Sequence, residues 1–357
     1  MSGPGATRPV ATDIVDTPMK LPADKVSRLK SFYEGRRVCV TGGAGFIGGH
    51  LCDALLSLGA SISVIDDLSN STLDHLAELI ELEPDRVQFV HGSILEDKAL
   101  DEAMDGAATV FHLGAMGSVP RSVEMPGRTW AVNATGTLRV LEAARRCGVA
   151  RVVGASSSSV YGNQPELPKR ETQLPRPLSP YAASKLALEH LFLSYASCYG
   201  LSTVSLRYFN VFGPRQRADS QYAAVVPAFA RRLLAGESPV IHGDGRQTRD
   251  FTFVANAVLA TLLAGSTNTD LKGEAVNVAS GVQSTLLECA LKLAAICQSG
   301  ASLQPTFTPE RPGDVRHSVA DISLAKSLMG YEPVCSFDEG LAETVEWSRH
   351  EAGAAGA

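Results

Sequence analysis

The stretch Val38-Cys39-Val40-Thr41-Gly42-Gly43-Ala44-Gly45-Phe46-Ile47-Gly48 decides the fold. Residues 37–41 read as a β-strand, and the consecutive apolar positions 38–40 mark it as covered on both faces. Residues 45–58 read as a helix. Between them Gly43, Gly45 and Gly48 fit G-x-G-x-x-G, while Gly42, Gly45 and Gly48 fit G-x-x-G-x-x-G. Either spacing lets the backbone turn sharply and brings a pyrophosphate close to the helix N-terminus. A second strand, Ser61–Ile65, leads to Asp66, 21 residues after Gly45. A carboxylate there accepts hydrogen bonds from the adenosine ribose. Asp66 and Asp67 together repel a 2′-phosphate, and no Arg or Lys stands beside them in the chain, so the expected cofactor is NAD and not NADP.

Outward from this unit the pattern repeats. Val87–His91, Thr109–Leu113, Arg151–Ala155 and Ser202–Tyr208 read as further strands. Helices are expected over about Pro126–Arg146 and over Pro180–Tyr199, with Ser179 as N-cap and Pro180 in the first turn. Val26, Leu29 and Tyr33 suggest a short docking helix ahead of the first strand. Strands alternating with helices give an α/β fold, a doubly wound parallel-sheet Rossmann domain. After Asn210 glycines and prolines become frequent, which points to a smaller mixed α/β substrate domain built from interleaved segments. The expected division is a flexible tail over 1–20, the dinucleotide domain over 21–211 with about 246–278, the second domain over 212–245 and 279–350, and a fraying tail over 351–357. The last helix is expected over about Phe337–His350.

Bulk properties narrow the function. The chain has 357 residues, 45% hydrophobic and 20% charged, with a net charge of -6 and scattered Lys and Arg. A nucleic-acid footprint needs a basic patch, so nucleic acid is not an expected partner. No segment approaches the roughly 18 uninterrupted apolar residues of a membrane span, and no signal-peptide core is present, so a cytoplasmic protein is expected. Seven cysteines, Cys39, Cys52, Cys147, Cys198, Cys289, Cys297 and Cys335, include no C-x-x-C pair. They read as buried, reduced thiols, with no metal site.

Tyr181 and Lys185 share one face of the long helix as Y-x-x-x-K. An ammonium beside a phenol favours the phenolate, so the Tyr181 pKa is expected to fall and suit a base working near neutrality. Ala155-Ser156-Ser157-Ser158-Ser159-Val160-Tyr161-Gly162 lies just past the fifth strand, at the sheet edge where ligands bind, and offers a hydroxyl to polarise a substrate oxygen.

With these motifs on the page, the chain resembles the extended short-chain dehydrogenase/reductases, in their NAD-dependent epimerase/dehydratase branch, over about residues 36–350. Further markers are Phe111-His112-Leu113-Gly114-Ala115, Asn133, Arg207-Tyr208-Phe209-Asn210, Gly243-Asp244-Gly245 and Arg249-Asp250-Phe251. The resemblance implies Ser157 as the catalytic hydroxyl beside Tyr181 and Lys185. Besides the glycines it implies cofactor contacts at Phe46, Ile47, Asp66, Asn70, Ser71, Ile94, Leu113, Ala115, Asn133, Tyr181, Lys185 and Phe209. Ser93 stands where many members place an Asp that holds the adenine amino group, and its hydroxyl is the expected substitute.

Dehydratases of this branch carry Asp and Glu immediately before V-Y-G, and related decarboxylases keep the Glu. Here those positions are Ser158 and Ser159, neither a useful general acid at neutral pH. The resemblance therefore implies oxidation and return of the hydride alone, which is epimerisation at C4 of a UDP-hexose. It implies substrate contacts at Gly117, Ser118, Ser157, Ser158, Tyr181, Asn210, Gln216, the Ala224-Val225 pair and Ser318, with Arg249 and Arg311 on the diphosphate. Glucose-only epimerases place a Tyr within the stretch here running Gly313-Asp314-Val315-Arg316-His317-Ser318, and Ser318 leaves room for a 2-acetamido group. The expected substrates are UDP-N-acetylglucosamine and UDP-N-acetylgalactosamine. Three alternatives stay open: UDP-glucose; UDP-glucuronate, with Arg121 or His317 as the cation near C6; and a non-catalytic NAD-binding regulator. The resemblance also implies a homodimer through the helices over about Pro126–Arg146 and Pro180–Tyr199, which carry Leu138, Leu141, Leu186 and Leu191.

Overall fold

The computed structural model describes residues 23–218, 224–298, 304–310 and 315–354. The expectations for residues 1–20 and 355–357 lie outside them. In chain order the strands are β1 (Arg37–Thr41), β2 (Ser61–Asp66), β3 (Val87–His91), β4 (Thr109–His112), β5 (Arg151–Ser157), β6 (Ser202–Tyr208), β7 (Val211–Phe212), β8 (Val240–His242), β9 (Thr248–Arg249), β10 (Thr252–Phe253), β11 (Lys272–Val278), β12 (Ser284–Thr285) and β13 (Thr306–Thr308). The helices are α1 (Ala23–Tyr33), α2 (Phe46–Ser57), α3 (Asp74–Leu82), α4 (Asp97–Met104), α5 (Val119–Glu124), α6 (Pro126–Trp130), α7 (Gly136–Arg146), α8 (Pro180–Tyr199), α9 (Val225–Leu234), α10 (Val254–Ser266), α11 (Leu286–Ile296), α12 (Ser323–Met329) and α13 (Phe337–Ala354).

Seven strands form one parallel sheet in the order β3-β2-β1-β4-β5-β6-β11. The chain winds outward from β1 in one direction, then from β4 in the other. This reversal opens a crevice at the carboxyl ends of β1 and β4, the place where such sheets bind ligands. The apolar runs behave as their pattern predicts. Val38 and Val40 pack on one side with Leu51 and Leu55 of α2 and Val258 of α10. Cys39, Val110 and Val152 face the other side with Leu100 of α4, Val140 of α7, and Leu188 and Phe192 of α8. The seventh strand, β11, lies beside β6 although the chain between them builds other elements. Burying α10 on all sides explains why that helix is apolar throughout.

Two departures from the sequence reading bear on the site. The helix expected over 126–146 is broken by a π-helical turn, Ala131–Thr135, between α6 and α7. The extra residue of that turn accompanies the inward position of Asn133, whose amide accepts a hydrogen bond from Met116 N at 2.8 Å and donates to Ser184 Oγ of α8 at 3.0 Å. Strand β5 runs two residues further than expected, to Ser157, because pairing with β6 continues through Ser157 and Tyr208. Helix α8 has the predicted ends. Ser179 Oγ accepts the Ala182 N–H at 3.1 Å, and Gly200 closes the helix in the left-handed region at φ 68°.

After β7 the chain builds α9, α11, α13 and three two-stranded ribbons around an aromatic cluster. In it Phe251 stacks on Phe337 at 4.8 Å, with Phe212 edge-on to both. Helix α13 runs to Ala354, past the expected end at His350. All seven cysteines are free thiols, but only Cys39, Cys52 and Cys289 are buried, and Cys198 is exposed. Cys198 sits on the outer face of an otherwise apolar α8 run, so apolar neighbours in sequence overstated its burial. No helix among the described residues is long and apolar enough to cross a membrane.

Candidate active site

The glycine turn is held by geometry that admits no side chain. Gly42 has φ +73°, and a Cβ there would stand 2.7 Å from the Gly114 backbone of the next crevice loop. A Cβ on Gly48 would stand 2.2 Å from Gly42 O. Helix α2 starts at Gly45 without a side-chain cap, so its first N–H groups are left for an anion at the positive end of the helix dipole. Gly48→Ala is therefore expected to destabilise the protein by about 1–3 kcal/mol. It should also strip it of dinucleotide, as read by thermal melting and by the ultraviolet absorbance of nucleotide released on denaturation.

Beyond this turn lies a lobe of about 120 Å³ lined by Asp66, Ser71, Ser93 and Ile94. The Asp66 carboxylate accepts hydrogen bonds from Ala44 N at 3.1 Å, Leu68 N at 2.9 Å and Ser71 Oγ at 3.0 Å. Burial pushes this carboxyl up from its usual range, and those three donors pull it back. Ser93 Oγ accepts the Leu95 N–H at 3.3 Å. The reading that no basic residue stands near Asp66 holds along the chain but not in space. Arg121 and Arg128 reach the same lobe from α5 and α6, and Arg121 Nη1 donates to Asn70 Oδ1 at 3.1 Å.

A larger cavity of about 650 Å³ adjoins the lobe, sharing Gly42, Gly45, Asn70, Leu113 and Ala115 with it. It brings together Phe46, Ile47, Gly48, Gly117, Ser118, Ser157, Ser158, Tyr181, Lys185 and Asn210. Ala224, Val225, Arg249 and Ser318 line it as well. Arg249 and Ser318 are nearly buried, at 8% and 7% exposed. Asn210 is held at φ 33°, an uncommon value for a non-glycine residue. Three predicted residues line neither cavity, and a fourth falls outside the described residues. Asn133 lies behind the wall on the π turn. Phe209 is buried against Tyr161, ring centroids 6.2 Å apart. Gln216 donates to Val211 O at 3.0 Å and leaves its Oε1 buried without a partner. Arg311 lies outside the described residues.

Helix α8 holds Tyr181 at the cavity, where Ser157 also lines the wall. Ser157 Oγ in turn accepts the Ser159 hydroxyl at 2.9 Å and the Ser159 N–H at 3.2 Å. The expectation that Lys185 lowers the Tyr181 pKa is corrected here. Burial raises the phenol above its ordinary value, and the Ser157 hydrogen bond is what draws it down. The ammonium lies 5.9 Å from the phenol ring centre and spends its hydrogen bond on Ala155 O at 2.8 Å. Burial also depresses Lys185 itself to about 8. In the protein alone desolvation is the largest influence on both groups.

The sequence reading missed Ser159 as a donor to Ser157, and it missed a cluster behind α2. There Arg215 Nη2 donates to Asp53 Oδ2 and to His50 Nδ1, both at 2.6 Å. His50 Nε2 donates to Pro214 O at 3.0 Å, and burial with the Arg215 charge holds this imidazole neutral, its pKa lowered to about 3. The cluster ties the chain leaving β7 to the glycine-turn helix. Its members are 165 residues apart at the extreme, so no local pattern announces it.

Fold and site together define a Rossmann protein shaped to hold a dinucleotide beside a second ligand. Residues 38–279 match the NAD dependent epimerase/dehydratase family. The UDP-glucose 4-epimerase of Mycolicibacterium smegmatis is 39% identical over 317 residues, covering 88% of this chain and 99% of that one. The UDP-N-acetylglucosamine 4-epimerase of Methanobrevibacter ruminantium, solved with UDP-N-acetylmuramic acid, superposes with TM-score 0.83 at 36% identity, covering 89% of this chain and 99% of the other. The Thermus thermophilus UDP-glucose 4-epimerase, solved with NAD, gives TM-score 0.79 at 35% identity, with 88% and 99% coverage. This chain belongs to the NAD-dependent epimerase/dehydratase family. It is an epimerase, an isomerase whose cofactor is NAD.

Proposed function

We propose that this enzyme interconverts UDP-N-acetylglucosamine and UDP-N-acetylgalactosamine at C4 through a transient 4-keto sugar. The observation that carries this reading is one cavity lined by Tyr181, Ser157 and Lys185 together with the small Ser318. NAD, when bound, would accept the hydride from C4 and later return it. The glycine turn and the start of α2 would hold its pyrophosphate. Asp66 would hold the adenosine ribose, and Lys185 the nicotinamide ribose.

Tyr181 takes the proton from the sugar O4 and returns it after the sugar has turned over about its diphosphate. Ser157, itself held by Ser159, turns its one hydroxyl proton from the phenol to O4 when the sugar binds. Arg249 and Arg311 neutralise the diphosphate. Asn210, Gln216, Ala224 and Val225 frame the nucleotide, and Gly117, Ser118 and Ser158 border the sugar. Ser158 and Ser159 supply no acid to expel water, so the keto sugar is only reduced again.

UDP-glucose is the second reading, favoured by the 39% identical relative. A uronate is disfavoured because neither expected cation stands in the sugar cavity. Arg121 is engaged by Asn70 in the smaller lobe, and His317 Nδ1 meets Thr248 Oγ1 at 3.0 Å on an exposed face. We assign the enzyme to the cytoplasm and to a homodimer packed through α7 and α8, where Leu138 and Leu193 stay 40% and 48% exposed. Of the other apolar residues named for that surface, Leu141 belongs to the core.

The test is a kcat/KM comparison of UDP-N-acetylglucosamine, UDP-glucose and UDP-glucuronate with purified protein and no added nucleotide, together with NAD released on denaturation. The acetamido sugar is expected to lead the neutral hexose by about 10-fold or more. Stoichiometric NAD should be released. A faster uronate, or activity absent with all three, overturns the assignment.

A further inference from the structure

We propose that the buried carboxylate of Glu189 is a positioning residue that, with Arg207 and Ser156, fixes the end of β5 against α8 and so sets Ser157 against Tyr181. The inference rests on the catalytic reading of those two residues and adds a third layer behind them. Tyr181, Lys185 and Glu189 follow one another at four-residue spacing along a single face of α8. Each faces one of three consecutive residues of β5. Tyr181 lines the cavity together with Ser157, Lys185 Nζ donates to Ala155 O at 2.8 Å, and Ser156 Oγ donates to Glu189 Oε1 at 2.5 Å. Arg207 comes from β6, where it pairs in register with Ser156. It grips the same carboxylate in bidentate fashion, Nε to Oε1 at 2.9 Å and Nη2 to Oε2 at 2.7 Å.

Stability alone does not account for this arrangement. The side chains of Arg207 and Glu189 are 4% and 7% exposed, and burying two charges costs about as much as their attraction returns. Arg207 Nη1 is buried without a hydrogen-bond partner, a further cost. An apolar pair would fill the space as well. What it would lack is direction: fork geometry aims the carboxylate at Ser156, and Ser156 is the residue beside Ser157. The guanidinium is itself fixed over the Tyr161 ring at 4.7 Å, and the Tyr161 hydroxyl is anchored on Asn277 Oδ1 at 2.7 Å. The lock is thus continuous with the buried strands on the far side of the site.

The test separates position from stability. In the Glu189→Met/Arg207→Met double variant the buried charges go together, so the fold and bound NAD are expected to survive. kcat is expected to fall by about 10- to 100-fold, since a displacement on the order of 1 Å suffices for such losses. Ser157 normally lowers the phenol pKa. The rising limb of kcat/KM against pH, which reports the free enzyme, should therefore move to higher pH when Ser157 drifts away. Ser156→Ala, which leaves the ion pair intact, should move the limb in the same direction with a smaller loss, and Ser156→Thr should restore it. Wild-type kcat and an unmoved limb in the folded double variant overturn the proposal. If that variant does not fold, the same result in Ser156→Ala overturns it. No turnover of any UDP-hexose by the unmodified enzyme sinks the catalytic reading itself, and this role with it. Turnover that the variants leave untouched sinks this role alone.

Discussion

Tyr181→Phe is expected to lower kcat for UDP-N-acetylglucosamine by about 10²- to 10⁴-fold, the range that general acid–base groups supply. Phe keeps the ring and its packing at the start of α8, so stability and NAD content should hardly change. What disappears is the phenol oxygen that, on the proposed reading, accepts the O4 proton beside Ser157. Lys185 cannot take over, because its nitrogen is bonded to Ala155 O on the strand side. The measurement is kcat beside nucleotide released on denaturation. A variant with normal NAD and more than about a tenth of wild-type kcat would place the base elsewhere.

Ser318→Tyr is expected to divide the two neutral substrates. Ser318 is nearly buried in the cavity wall, so a phenol ring there must enter the cavity. An acetamido group needs that volume and a 2-hydroxyl does not. Turnover of UDP-N-acetylglucosamine should fall by about 10- to 200-fold more than that of UDP-glucose, the range in which pocket volume discriminates. Equal losses on the two sugars, read as kcat/KM, would show that residue 318 does not gate the pocket.

The sheet and its crevice were legible because their signals are local. The apolar run 38–40, the glycines behind it and Asp66 each declare their place within a few residues of chain. Helix α8 was legible at both ends because Ser179 and Pro180 open it and Gly200 closes it. The π turn was not, since Ala131–Thr135 carries no breaker and its distortion comes with the tertiary bonds of Asn133. Side-chain identity also revealed the Tyr–Lys–Ser set more readily than its electrostatics. Spacing places Lys185 near Tyr181, but only the fold shows that both are desolvated and that Ser157 is the residue easing the phenol down. Arg121 beside Asn70, Arg215 on α2 and Glu189 on Arg207 share one cause of illegibility. Each joins side chains from separate elements, and a charged residue in isolation looks like ordinary surface.

The most direct test of the redox account is epimerisation of UDP-N-acetylglucosamine in D₂O, followed by proton NMR of the sugar ring. If Tyr181 handles only the O4 proton and Ser158 and Ser159 supply no acid–base chemistry at carbon, the UDP-N-acetylgalactosamine formed should carry no deuterium at C3, C4 or C5. Deuterium at C4 would mean that the hydrogen leaves as a proton to solvent, and would contradict the account at its centre.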